Sequence, residues 1–255
     1  MKKCSIAILW IALTVVKADA ASLGTYRIYL DNKNPQDKFI VKNRSTFPEQ
    51  CEVSFSYRLY KENGQVVKLT EAEQAERSKT TLNRIRYSPR KFIIQPKSFQ
   101  YVTFNYRRQI NDKTAEHRSY ANFTCSTIED EQQKVGISFT PNIIHSVPLV
   151  IRTATLNKFD VNLSFVNIKQ QGSSVSFKAL HAGNRSFYGD IYLVTANGTE
   201  LKTFQRNVVI YPDMIYKEFA FDLGEFHDTN TKIVFQENNQ YGGTKSFELP
   251  MKGAK

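Results

Sequence analysis

The sequence lacks most of what catalytic and metal sites are built from. Its four histidines, His117, His145, His181 and His227, are scattered without the short spacing that would bring two onto one ion. No G-x-S-x-G elbow, glycine-rich phosphate loop or H-E-x-x-H occurs in it. Cysteine is scarce, three in 255 residues, and no two form a C-x-x-C, which removes zinc-ribbon and thioredoxin-type redox sites. Long apolar runs are missing too: beyond the leader-like start, nothing approaches the roughly 20 apolar residues of a membrane helix. These gaps set the expectation of a protein that is not an enzyme and holds no cofactor or metal.

What the chain does have begins with an export signal. Lys2 and Lys3 form a positive head, SIAILWIALTVV follows as a short apolar run, and Ala18-Asp19-Ala20 supplies the small-x-small pattern of a cleavage site. Residues 1–20 are therefore expected to be removed, leaving an exported chain that begins near Ala21 and has no membrane segment. Cys4 lies ahead of the apolar run, the wrong side for a lipoprotein anchor. Removing Lys2, Lys3, Lys17 and Asp19 lowers the formal net charge from +11 to +9 (11 − 3 + 1). That surplus suits an anionic partner, whether a carboxylate, an acidic protein or a nucleic acid. Export, and the dispersal of the basic residues, argue against nucleic acid. Cys51 and Cys125 survive processing; in an oxidising compartment they form a disulfide or remain as buried thiols.

Period-two alternation dominates the remainder. TYRIYL (25–30), DKFIVKN (37–43), CEVSFSYRLY (51–60), RIRYSPRKFII (84–94), FQYVTFNY (99–106), RSYANFTC (118–125) and VGISF (135–139) read as strands between turn-rich segments. About seven strands in roughly 130 residues is the pattern of an immunoglobulin-like sandwich. A capping box, Thr70 with Glu73, opens a short helix over EAEQAERS between the third and fourth strands. In such a sandwich Cys51 opens the third strand and Cys125 closes its antiparallel neighbour, so a bridge between them is reasonable. A second β-rich block runs from VNLSFVNI (161–168) to TKIVFQE (231–237). The fold class is all-β, with two sandwich domains at 21–151 and 152–255. No Gly/Ser linker separates them, so their angle should be nearly fixed around a cleft.

The stretch KVGISFTPNIIHSVPLVIR (134–152) is the most informative. Val135, Ile137, Phe139, Pro141, Ile143 and Val147 occupy odd positions and mostly polar residues the even ones, with Ile144 the exception. The odd set either fills an ordinary core or belongs to an edge strand whose free N–H and C=O groups accept an incoming chain. Alternation alone leaves both open.

Six motifs in order then resemble the PapD-like periplasmic chaperones of the chaperone/usher pilus pathway. They are TYRIYLD (25–31), RIRYSPRKFIIQPKSFQYVTF (84–104), AEHRSYANF (115–123), SVPLVIR (146–152), AGNRSFYGDI (182–191) and NVVIYP (207–212). The HRS and NRSFYGD forms are more similar to the archaic, Csu-like branch. The resemblance implies a boomerang of two immunoglobulin-like domains in the periplasm, binding a pilus subunit and delivering it to an outer-membrane usher. It implies a donor strand carried by Val135, Ile137, Phe139 and Ile143, and cleft cations that hold the subunit's C-terminal carboxylate, Arg27 among them. Two departures follow. Pro148 stands where a second anchoring lysine is expected, which passes that role to Arg90 or Lys91. Arg118 stands where a glutamate would pair with the closing arginine, which leaves Arg152 as a further cleft cation.

The alternative from another class is a secreted immunoglobulin-like adhesion or recognition module. The N-x-S/T sequons at Asn43, Asn122, Asn162, Asn184 and Asn197 would suit it.

Overall fold

The alternating segments pair into two β-sandwiches in the computed structural model, which describes residues 22–23, 27–109, 112–128, 143–153, 160–227 and 230–251. The first part of the chain carries β1 (Ser22–Leu23), β2 (Ile28–Asp31), β3 (Gln36–Lys42), β4 (Glu49–Ser56), β5 (Leu59–Tyr60), β6 (Val66–Val67), α1 (Glu71–Leu82), β7 (Ile85–Ser88), β8 (Lys91–Ile94), β9 (Phe99–Tyr106), β10 (Glu116–Thr127) and β11 (Ile143–Arg152). The second carries β12 (Val161–Gln171), β13 (Ser174–Gly183), β14 (Phe187–Thr195), β15 (Glu200–Ile210), β16 (Tyr216–Asp222), β17 (Thr231–Glu237) and β18 (Ser246–Met251). One sandwich packs the sheet β1-β3-β9-β7 against β2-β11-β10-β4-β8; the other packs β12-β13-β16 against β15-β14-β17-β18. The leader-like residues 1–20 lie outside the described residues. Among the described residues no helix is long and apolar enough to cross a membrane.

Each sandwich has its own core. In the first, Phe39 and Phe123 stack at 4.8 Å, beside Val147, Leu149 and Ile151 of β11. The second is rich in phenylalanine: Phe177, Phe187, Phe219 and Phe235 meet at its centre. A side chain of this size, fully buried, contributes about 2–3 kcal/mol by leaving water. A third, smaller cluster of Tyr29, Val150, Tyr188 and Tyr241 joins the two.

Local signals explain most boundaries. α1 starts where the capping box places it: Thr70 N–H donates to Glu73 Oε2 at 2.8 Å, and Thr70 Oγ1 accepts from Glu73 N–H at 3.3 Å. The helix outruns its expected end at Ser78 because Thr81 is buried and its hydroxyl donates to the Arg118 carbonyl at 2.9 Å. Cys51 lies directly opposite Cys125 in the β4–β10 register, and the two form a disulfide.

Three segments differ from the sequence reading. RIRYSPRKFII is two strands, not one: β7 pairs with β9, β8 pairs with β4 in the opposite sheet, and the chain crosses at Ser88-Pro89. Proline has no N–H to continue a ladder, so the crossing falls there. CEVSFSYRLY ends as a strand at Ser56; Leu59–Tyr60 instead forms a hairpin with Val66–Val67 around the KENGQ turn. SFELPM (246–251), with a proline inside it, is an additional strand on the edge beside β17.

Candidate functional site

β11 has one covered edge and one half-covered edge. β10 pairs with it along its whole length, from Ile143 opposite Cys125 to Arg152 opposite Glu116. On the other side β2 is only four residues long and pairs, in parallel, with Leu149–Arg152 alone. Among the described residues no strand covers that edge over 143–148. Pro148 stands at the boundary, and proline fits a strand where its missing N–H faces an unpaired edge. An edge of this kind is where an added strand can pair.

The faces of β11 are also assigned. Val147, Leu149 and Ile151 are core, so for Val147 the core alternative holds. Ile144 is 60% exposed, and Ser146 donates to Asn122 Oδ1 at 2.8 Å in a polar row on the outer face. Val135, Ile137 and Phe139 lie outside the described residues. Ile143 opens the strand.

The C-terminal end of β11 runs into an arginine-rich junction between the sandwiches. Arg152, 3% exposed, uses three nitrogens: Nε to Glu116 Oε2 at 3.2 Å, Nη1 to the Tyr241 carbonyl at 2.9 Å, and Nη2 to the Ser186 carbonyl at 3.1 Å. Glu116 Oε2 also accepts from Ser186 N–H and Oγ. The reading that Arg118 had displaced the partner of Arg152 is thus corrected: Glu116, on the opposing strand, supplies the carboxylate. Arg152 clasps the two domains, with three of its five N–H donors committed to Glu116, Tyr241 and Ser186.

Arg118 forms a second clasp. It holds Asp213 of the second sandwich through Nη1 and Nη2, and its guanidinium lies 3.9 Å from the centre of the Tyr211 ring. Burial opposes its charge, but the hydrogen bonds from Arg118 to Asp213 outweigh it and raise the guanidinium pKa further. Beside it, Tyr60, Tyr120 and Tyr211 join hydroxyls at 2.7 and 3.1 Å. The hairpin β5–β6 completes this contact: Tyr60 N–H donates to Asp213 Oδ2, and Tyr216 N–H donates to the Glu62 carbonyl. Sequence reasoning missed Glu116, Asp213 and the hairpin. The Asn63-Gly64 turn flanked by LY and VV was the available signal for the hairpin.

The four expected anchors do not converge. Arg27 is at the junction, 2% exposed, with its guanidinium 3.8 Å from the centre of the Tyr188 ring. Arg90 and Lys91 are exposed at the far end of the sheet, Arg90 over Tyr87 and Lys91 paired with Glu52 at 3.1 Å. Lys91 lies on β8 and Arg27 directly precedes β2, the two opposite edges of the five-stranded sheet. Lys91 aligns through Glu52 with Thr124, whereas Ile28 aligns through Leu149 with Ser119. Four strand spacings across the sheet are about 19 Å. Neither Arg90 nor Lys91 can share one carboxylate with Arg27.

The junction also carries an open pocket of about 490 Å³ lined by Tyr57, Arg84, Glu116, His117, Arg118 and Asp213. Its charges are paired: Arg84 with Asp112, which also bonds His117, Glu116 with Arg152, and Arg118 with Asp213. A wall of such paired charges positions the domains. Among the described residues one group of metal-type side chains is close enough to share an ion, Glu49, Cys51 and Cys125, and its sulfurs are bonded to each other. The sequons fare unevenly: the Asn43 amide is buried and donates to the Phe47 and Ile94 carbonyls, so it cannot carry a glycan, whereas Asn162 and Asn197 are exposed.

No protein-family model matches the chain, and no curated protein does. Solved structures do. A chain of the Salmonella enterica SafA pilin in complex with the SafB chaperone is 12% identical, with a TM-score of 0.50 over 93% of this chain and 99% of that one. The Pseudomonas aeruginosa CupB2 chaperone is 11% identical, with a TM-score of 0.47 over 89% and 98%. A chain of the CsuC–CsuE chaperone–tip adhesion subunit pre-assembly complex, from archaic chaperone-usher Csu pili of Acinetobacter baumannii, is 10% identical, with a TM-score of 0.45 over 92% and 100%. The all-β fold implied by the PapD-like motifs is thus the fold of this chain.

Proposed function

We propose that this protein is a non-enzymatic assembly chaperone of the periplasm that caps pilus subunits by lending them a strand and delivers them to an outer-membrane usher. The observation that carries the reading is the edge of β11 over 143–148, which no strand covers among the described residues. A protein that leaves such an edge beside a rigid junction offers main-chain hydrogen bonds in a fixed direction, and added side chains supply selectivity. The donor positions of the proposal are Val135, Ile137, Phe139 and Ile143. Burying their apolar surface in a subunit would contribute roughly 25 cal/mol per Å². That similar folds include chaperones solved with a pilin and with a tip subunit supports the same reading.

In this proposal residues 1–20 direct export, and the domains divide at 151/152, where β11 ends in the Arg152 clasp. Arg27 remains assigned to the subunit's carboxylate; because it is buried, the Tyr188 ring must move off it.

Gentle purification from the native periplasm, followed by intact-mass measurement, tests the proposal. The expected result is a one-to-one complex with a small β-rich subunit, absent when Ile137→Asp and Phe139→Asp are combined in a chain that still folds. An unpartnered monomer from cells that are assembling pili would overturn it.

A further inference from the structure

Among the described residues the outer face of the sheet β1-β3-β9-β7 carries cations and aromatics and no carboxylate. Alternation and register place Lys38 and Lys42 of β3, Arg86 of β7, and Phe99 and Tyr101 of β9 on this face, all exposed. The bounding loops 43–48, 95–98 and 107–109 add Arg44, Lys97, Arg107 and Arg108, and again no aspartate or glutamate. A face of one sign on a chain that holds 24 acidic residues is not the average surface of this protein.

The aromatics are just as localised. Among the described residues the exposed large aromatics are Phe47, Phe99 and Tyr101, at 53%, 54% and 43%. All three lie at the end of the sandwich where β3 leaves and β9 enters, remote from the domain junction. The Phe99 and Tyr101 rings meet edge to face at 5.3 Å. Next to them is a cavity of about 460 Å³ lined by Lys42, Arg44, Lys97 and Phe99. The backbone holds these groups in place: Asn43 N–H donates to the Ser98 carbonyl at 2.9 Å, and the Asn43 amide ties down the loop that carries Phe47.

We infer that this end of the first sandwich docks on an anionic phospholipid surface. Lys42, Arg44 and Lys97 receive a phosphate headgroup in the cavity, and Phe47, Phe99 and Tyr101 enter the interfacial layer beside it. Charge complementarity selects the occupant: three cations converge on one cavity, and flanking cations extend the field across the sheet. The rings add the second signal that stable membrane association needs, since electrostatics or a small apolar contact alone binds only marginally. The surface does not involve β11, so the inference stands whether or not the chaperone proposal does.

The test is flotation with vesicles, using the chain from residue 21 onward so that the apolar leader does not insert. Vesicles of phosphatidylglycerol and phosphatidylcholine in equal parts should carry the protein, and phosphatidylcholine alone should not. Each cation near an anionic surface is worth about fivefold in affinity, so combining K42Q, R44Q and K97Q should weaken binding on the order of a hundredfold. A second variant, K38Q with K42Q, leaves both loops untouched and should weaken it about twenty-five-fold. F99S with Y101S should lower binding even at high salt, where the electrostatic part is screened. Circular dichroism and a protected disulfide establish that each variant is folded. Failure of the wild type to float, equal flotation with neutral vesicles, or unchanged flotation of both charge variants would overturn the inference. So would full release by millimolar inorganic phosphate, which would make free phosphate the ligand. Binding of polyglutamate as tight as that of vesicles, with the rings dispensable, would point to an acidic protein instead and overturn it too.

Discussion

Arg118 grips Asp213 with both terminal nitrogens, Nη1 to Oδ1 at 3.0 Å and Nη2 to Oδ2 at 2.9 Å, across the boundary between two separate hydrophobic cores. The arginine is 8% exposed, so the carboxylate is its main compensation for lost water. Asp213→Ala should cost about 3 kcal/mol by leaving that charge buried and unpaired. It should also loosen the hairpin, because Tyr60 N–H loses its acceptor. Calorimetry should then resolve two unfolding transitions where the wild type shows one. Replacing the pair together, Arg118→Met with Asp213→Leu, should recover most of the stability. A single transition of unchanged midpoint in Asp213→Ala would show that the clasp is not what couples the domains.

The disulfide ties β4 to β10 at the point where β11 begins, since Cys125 pairs with Cys51 on one side and with Ile143 on the other. It closes a loop with a sequence separation of 74. A loop of that length gives about 4 kcal/mol in the chain-entropy account. Cys51→Ala with Cys125→Ala should lower the urea midpoint accordingly, and reductant should no longer affect it. Under the chaperone proposal the same variant should also bind subunits less well, because the first residues of β11 lose their anchored neighbour.

Gly242 sits in the left-handed region at φ +69°, and a Cβ there would stand 2.3 Å from the Tyr29 hydroxyl and 3.5 Å from Arg152 Nη1. Gly242→Ala must therefore push Tyr29 away and disturb the junction cluster of Tyr29, Val150, Tyr188 and Tyr241. Gly172 is the matched comparison: its φ is +56°, with nothing within 4 Å of the added atom. Gly172→Ala should cost only the backbone term, about 1 kcal/mol, and Gly242→Ala about 1–3 kcal/mol more. Equal losses from the two would mean that Tyr29 yields freely and the junction is softer than its packing implies.

The parts of this fold legible in the sequence are those set by neighbours in the chain. Thr70 and Glu73 announced α1, and alternation placed nearly every strand of both sandwiches. Cys51 and Cys125 could be paired once the strand order was assumed. What stayed hidden depends on partners far apart in sequence. Arg118 gives no hint that Asp213, 95 residues on, will meet it, and Glu116 next to it in the same motif was the unrecognised partner of Arg152. Arg90 and Lys91 were named because Pro148 takes the place of an anchoring lysine, and RIRYSPRKFII was read as one strand; the crossing at Pro89 instead sends Lys91 to β8, on the edge of the sheet opposite β2. Pro148 was read only as a lost lysine. Its place at the boundary of a half-covered edge emerges once β2 is seen to be four residues long.

Asp112, His117 and Arg84 form a buried group beside the junction whose response to pH follows from its geometry. Asp112 Oδ2 lies 2.5 Å from Arg84 Nε and 2.9 Å from His117 Nε2, and Oδ1 accepts from Thr114 N–H at 3.0 Å. Burial alone would raise its pKa, but these hydrogen bonds prevail and hold it at about 2. His117 is pushed below its ordinary value, by burial first and by the Arg84 charge second, against the pull of Asp112. Both groups thus bind protons more weakly folded than unfolded. Their contribution is complete above the unfolded values and drains as the pH falls, first through His117 from about 6.5 and then through Asp112 below about 4. His117→Gln keeps an N–H for Asp112 and removes the first titration. Its urea midpoint should stay level between about pH 7 and about pH 5, where the wild type declines, and both should fall together below about pH 4. Parallel decline of the two proteins over the upper range would place that titration on another group.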